Sequence, residues 1–151
     1  LKASLPELEV DLLGCDHQGK SKEVFAELKN NYSQAVTYYG EVPERSDYYN
    51  RLKDCRLLAV TSLHDFFGLS VAEAIFHGVI PLLPRRLAYP ELIPPRLHSK
   101  LLYNDYKELE HKARSLLKSG LESQERQELM KWMDQFRWPN IAKNFLELLR
   151  F

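Results

Sequence analysis

Cysteine is nearly absent. Only Cys15 and Cys55 occur in 151 residues, with no CxxC pair and no histidine at ligand spacing. A disulfide scaffold and a zinc site are therefore not expected, two core thiols are, and a reducing, cytoplasmic setting fits best. Long apolar runs are missing too: none approaches the roughly 20 residues of a membrane span. The opening LKASLPELEV holds neither the apolar segment of a secretory signal nor an initiator methionine. A soluble piece of a longer chain, without a membrane partner, is the expectation. Charge of one sign is lacking, because 21 basic residues face 21 acidic ones. That removes the broad positive field of a dedicated nucleic-acid or membrane binder and leaves only local clusters to act. Repeats and low-complexity linkers are absent as well. What is present, 44% hydrophobic and 28% charged residues, describes one globular domain that can bury a real core.

Apolar runs alternate with amphipathic ones. LEVDLLG (8–14), AVTYYG (35–40), RLLAVTS (56–62) and VIPLLP (79–84) read as strands, apolar on both faces. Between them, KSKEVFAELKNNY (20–32) reads as a helix with Val24, Phe25 and Leu28 on one face. SDYYNRLKD (46–54) reads as a short helix with Ser46 as its N-cap, and 69–77 as a third helix. Strands of this kind separated by helices predict a parallel sheet covered on both sides, the Rossmann-like, doubly wound α/β class. The Pro-rich PRRLAYPELIPPR (84–96) predicts an irregular loop with one helical turn at Tyr89 to Ile93. The last third turns helical. Two helices flank Gly120, and WPNIAKNFLELLRF forms a final amphipathic helix with Ile141, Phe145, Leu148 and Leu149 along one side.

The chemistry is expected in HDFFGLSVAEAIFHG, His64 to Gly78. On a helical wheel Leu69, Val71, Ala72, Ile75 and Phe76 make the apolar side, while Ser70, Glu73 and His77 share the opposite stripe. Ligands of open parallel sheets sit beyond the carboxyl ends of the strands, where helix N-termini offer unpaired N–H groups. Gly68 permits close backbone approach, and the amides of Leu69 and Ser70 point outward with the positive end of the helix dipole. A diphosphate is the natural guest, with Glu73 one turn on to accept from sugar hydroxyls. A packing glycine beside a solvated glutamate is the alternative. His64 stands beside Asp65 as a sugar-contact candidate or a solvated strand-end side chain. His77 is expected to answer the negative helix end. Arg85 and Arg86, with Arg96 and Lys100, form a basic cluster able to meet phosphates of donor or RNA, or simply a solvated loop. Tyr38, Tyr39, Tyr48 and Tyr49 are placed in core or rim.

DFFGLSVAEA followed by GVIPLLP resembles the signature of family-four retaining glycosyltransferases of the GT-B fold: an acid, a loop ending in FG, a glutamate eight positions after the acid, then G-x-P. TSLHDFFGLSVAEAIFHGVIPLLPRRLAYPEL is similar in particular to the tRNA-queuosine mannosyltransferase branch, as are YYGEVPERSDYYNRLKDCRLLAVTS and FRWPNIAKNFLELL. The resemblance implies that Glu73 holds the ribose of the donor nucleotide and that the amides of Gly68, Leu69 and Ser70 hold its diphosphate. Asp65 stands where the family has a glutamate that touches the transferred sugar, one methylene longer. Gly40, Glu41 and Val42 match the backbone against which the base lies, and Glu91 matches a position near the nucleotide.

It implies a donor domain over residues 1–151 that lacks its own first strand and helix, the Arg and Lys they carry, and the N-terminal acceptor domain. Transfer would be retaining, would use neither metal nor cofactor, and would be driven by electrostatic stabilisation of the leaving diphosphate. The donor implied is GDP-mannose and the acceptor partner is tRNA. Two other readings stand beside it. One is a family-four enzyme using a UDP- or ADP-sugar with a carbohydrate or lipid acceptor; the other is a non-catalytic nucleotide-binding module.

Overall fold

The computed structural model describes residues 7–13 and 20–149. The chain divides into two compact units, Leu1–Arg51 and Leu52–Phe151.

In the first unit, β1 (Val10–Leu13), α1 (Lys20–Asn31) and β2 (Val36–Gly40) form a β-α-β turn, and α2 (Arg45–Asp54) follows and runs past the unit boundary. The strands pair in parallel, Val10 opposite Val36 and Leu13 opposite Gly40, with a register slip after Val10. Asp11 accepts from the Thr37 hydroxyl at 2.6 Å and from the Arg51 guanidinium at 3.0 Å. The same guanidinium lies 3.7 Å from the centre of the Tyr38 ring. The helix α2 begins one residue earlier than expected. The amides of Asp47 and Tyr48 both donate to the Glu44 carbonyl at 3.1 Å, so Ser46 sits inside the first turn and is not the N-cap. The side chains of Val24 and Phe25 are not described, and Cys15 lies outside the described residues; Cys55 is half-buried and forms no disulfide.

The second unit is built on a three-stranded parallel sheet in the order β3-β4-β5, with β3 at Leu57–Ala59, β4 at Ile80–Pro84 and β5 at Leu102–Tyr103. Leu57 faces Ile80 and Ala59 faces Leu82, while Leu83 faces Leu102. The central strand β4 is buried throughout yet carries two prolines. Successive N–H groups of a strand point to opposite neighbours. Ile80 N–H reaches Arg56 on the β3 side, so Pro81 faces β5 before that strand has begun. Arg85 N–H reaches Tyr103 on the β5 side, so Pro84 faces β3 after that strand has ended. Neither proline removes a ladder bond.

Helix α3 (Leu69–Phe76) joins β3 to β4. Two 3-10 turns, Tyr89–Leu92 and Pro95–Leu97, and the single turn α4 (His98–Leu101) lead to β5. Helices α5 (Tyr106–Ser119) and α6 (Ser123–Met133), a 3-10 turn at Asp134–Phe136 and α7 (Trp138–Leu148) complete the unit. Asp105 caps α5 by accepting from the Glu108 amide, and Gly120 ends it with a φ of 71°. Val71, Ile75, Leu82, Leu83, Ile93 and Met133 lie at the centre of the core, almost wholly removed from water. At about 1.5–3 kcal/mol for each large apolar side chain buried, they are what fixes α3 and α6 to the sheet.

Three further features depart from the sequence pattern. The pairing at β5 was not expected. Leu69, assigned to the apolar side of α3, is 65% exposed; as the first residue of the helix it precedes the turn that reaches the core, and Ala74 is buried instead. The apolar side of α7 is solvent-exposed within this chain, with Ile141, Phe145, Leu148 and Leu149 all open.

Candidate functional site

Beyond Ala59 the chain crosses residues 60–68 without regular structure before entering α3. Several side chains from later in the sequence hold this passage. Tyr103 donates its hydroxyl to the Val60 carbonyl. The Arg86 guanidinium donates to the carbonyls of Ser62 at 2.8 Å and Thr61 at 3.4 Å. The turn before α3 is closed by Asp65. Its Oδ1 accepts from the amides of Gly68 at 2.7 Å and Phe67 at 3.2 Å, and its Oδ2 accepts from the Tyr89 hydroxyl at 3.0 Å.

Gly68 is required here on two counts. Its φ of +81° belongs to the left-handed region, and a Cβ on it would stand 2.9 Å from Leu92 Cδ1 and 3.4 Å from Tyr89 Cε1. The loop is thus pressed against the 3-10 turn Tyr89–Leu92. That turn is itself pinned from both sides: His98 Nε2 lies 3.0 Å from the Pro90 carbonyl and 2.9 Å from that of Ile93, and Trp132 Nε1–H donates to the Glu91 carbonyl at 2.8 Å. Tyr89 is 1% exposed. Burial first, and the Asp65 carboxylate second, push its hydroxyl up from 10.0 to about 12; the Ser62 hydroxyl and the Arg86 charge pull weakly the other way.

Helix α3 then starts with Leu69 and Ser70, both exposed, whose N–H groups have no acceptor within the helix. Glu73 follows one turn later, half-buried. His77 closes the helix, its Nδ1–H donating to the Glu73 carbonyl at 2.8 Å, as its place at the negative end predicts. The Gly68 amide is different from expectation. It is directed to Asp65 rather than outward, because an aspartate side chain is short enough to fold back onto the amides two and three residues on. His64 is exposed, and so is the Glu91 side chain.

The four-cation cluster resolves into two kinds. Arg96 pairs with Glu128 at 3.3 Å and Lys100 with Glu125 at 2.6 Å, because α6 brings those acids alongside. Arg85 and Arg86 remain exposed at the end of β4, Arg86 also bracing the loop. Around the loop Leu63, Phe66, Leu69 and Leu87 expose apolar surface. In the first unit Gly40 ends β2 with a φ of +123°, and the Tyr38 hydroxyl fixes the turn by donating to the Glu41 carbonyl at 2.8 Å. Glu41 is exposed and Val42 half-buried; Tyr38, Tyr39, Tyr48 and Tyr49 are half-buried.

Tyr89 is the site residue that sequence reading missed. A buried aromatic in a Pro-rich loop was its only signal, since its partner lies 24 residues away. Among the described residues no group of three His, Cys, Asp or Glu side chains is placed to hold a metal ion. No helix among them is long and apolar enough to cross a membrane.

A family model described as "Glycosyl transferases group 1" matches residues 1–131. The chain is 30% identical over 88 residues to a tRNA-queuosine alpha-mannosyltransferase of Drosophila melanogaster, which is 58% of this chain and 23% of that protein. Among solved structures it is similar to HepE of Anabaena, crystallised in complex with UDP, with a TM-score of 0.72 and 18% identity over 95% of this chain and 41% of HepE. The chain spans less than half the length of either relative.

Proposed function

The chain belongs to the group 1 glycosyl transferases, and from that premise we propose that it is the part of a glycosyltransferase that binds the nucleotide-sugar donor. The observation that carries this reading is the Gly68 loop. It sets two amides without helical acceptors, those of Leu69 and Ser70, at the positive end of α3, with Glu73 one turn behind and exposed Arg86 beside the strand end. Such a corner attracts a diphosphate through N–H donors and helix dipole together, and the glutamate then accepts from ribose hydroxyls.

The donor in this reading is GDP-mannose and the acceptor queuosine in tRNA, supported by the likeness to the Drosophila enzyme. Transfer proceeds with retention and without a metal, the charge that develops on the leaving diphosphate being stabilised by the amides of α3 and by the Arg and Lys that the family places on or after the first strand and helix of its donor half. By the family resemblance, Gly40, Glu41 and Val42 are the candidates to meet the base and Glu91 is a candidate donor-binding residue. His64, exposed on the same loop, is the candidate for contact with the transferred sugar. A cytoplasmic setting suits both tRNA and the sparse cysteines.

Calorimetric titration of the chain with GDP, UDP and ADP in parallel tests the reading, UDP being included because HepE was solved with it. Saturable binding of GDP ahead of the other two supports it. A preference for UDP or ADP redirects the donor assignment to another sugar nucleotide. No binding of any of the three at millimolar concentration overturns the reading.

A further inference from the structure

The Asp65 carboxylate spends its hydrogen-bonding capacity inward. One oxygen gathers the amides of Phe67 and Gly68, and the other takes the hydroxyl of Tyr89, a side chain held 1% exposed on a turn that His98 and Trp132 pin in place. A ring of contacts results. Asp65 fixes the turn, the turn sets Gly68 at its left-handed φ, and Gly68 lies against Leu92 and Tyr89, which anchors Asp65. We propose that Asp65 and Tyr89 are positioning residues that hold the Phe66–Gly68 turn in the one shape that presents the Leu69 and Ser70 amides to a diphosphate, and that Asp65 itself does not touch the transferred sugar. The inference rests on the nucleotide-binding reading above.

The geometry explains the shorter acid. An aspartate folds back onto the amides of residues two and three ahead, whereas one more methylene would carry the carboxylate past them. With the Gly68 amide directed to Asp65, the anion is left to the first two amides of α3. Preorganisation of this kind matters because a loop that must order itself on binding loses affinity for every side chain and peptide it immobilises.

The test uses the 151-residue chain with bare UDP and bare GDP as probes, since neither carries the transferred sugar. Affinity is measured by calorimetry well below the melting temperature of each variant, and the backbone amides are followed by nitrogen-15 NMR. Asp65→Ala should weaken the better-bound nucleotide roughly tenfold or more, and Tyr89→Phe several-fold. Asp65→Asn should rescue to within about threefold, because its carbonyl oxygen still accepts from both amides and its NH₂ group donates to the Tyr89 oxygen. In the unmutated chain the Leu69 and Ser70 signals should move on titration while that of Gly68 stays. Wild-type affinity in Asp65→Ala and Tyr89→Phe would overturn the positioning role and leave nucleotide binding standing. So would a Gly68 amide that shifts together with its two neighbours, since Asp65 would then be surrendering it to the ligand. If Asp65→Ala fails to fold, Tyr89→Phe and Asp65→Asn decide, the former having to weaken binding and the latter having to keep it. Absence of binding in the unmutated chain overturns both readings together.

Discussion

Replacing Gly68 by alanine should destabilise the second unit by an amount that two separate terms set. A non-glycine residue at a φ of +81° costs about 1–2 kcal/mol. The new Cβ also meets Leu92 Cδ1 at 2.9 Å, closer than carbon atoms approach. Leu92 is 1% exposed and has no solvent to swing into, so relief must come from moving the core, at about 1–3 kcal/mol for an overpacked site. The sum is roughly 2–5 kcal/mol, or a melting temperature lower by roughly 4–20 °C at this chain length.

Gly78 supplies the control. Its φ is +83° but nothing lies within 4 Å of its Cβ position, so Gly78→Ala should lose only the backbone term, about 1–2 kcal/mol. The excess of Gly68→Ala over Gly78→Ala, read by urea denaturation, isolates the steric contact. Leu92→Ala should then cost about 1–3 kcal/mol less in the Gly68→Ala background than alone, because there it also relieves the clash. Equal losses for the two glycine variants, or strict additivity with Leu92→Ala, would refute the claim that the loop is seated on the Tyr89–Leu92 turn.

Three further outcomes are expected. Glu73→Ala should weaken GDP binding roughly ten- to a hundredfold through lost charge-assisted bonds to ribose; unchanged calorimetric affinity would refute the ribose contact. The hydroxyl of Tyr89 is raised from 10.0 to about 12 in the folded chain, so the stability it confers is complete below pH 10 and declines as pH rises toward 12. The loss is up to roughly 2–3 kcal/mol, and denaturation curves at pH 9, 10 and 11 should be flatter in Tyr89→Phe. Burial of Glu125 works against its charge, but the Lys100 ammonium and the Glu122 amide outweigh it and hold the carboxyl below 4.5. Its contribution is therefore present above that pH and fades below it. Glu125→Gln should cost about 1.5–3 kcal/mol at pH 7 and progressively less as acid approaches pH 3, measured by the same denaturation assay.

The alternation of elements was legible because each needs only local information. The runs 35–40 and 79–84 are apolar on successive residues and end at turn formers, which suits a strand covered on both sides, and the 3.6-residue spacing of Val71, Ala72 and Ile75 suits one buried helix face. The Gly68 corner, the stripe of Ser70, Glu73 and His77, and the family resemblance are likewise carried by contiguous residues. Tertiary structure decided what depends on partners distant in the chain. Two residues of β5 have no periodicity of their own and become a strand only because Leu83 and Pro84 offer an edge in register. Leu69 turns outward because the first helical residue precedes the core contact. Arg96 and Lys100 are answered by Glu128 and Glu125 because α6 happens to pass beside them. Asp65 looks inward because the sheet delivers Tyr89, 24 residues on, to within 3.0 Å of its carboxylate. A sequence names the groups that can bond at each position, whereas their choice among partners is made by the packing that brings one of them within reach and buries the pair together.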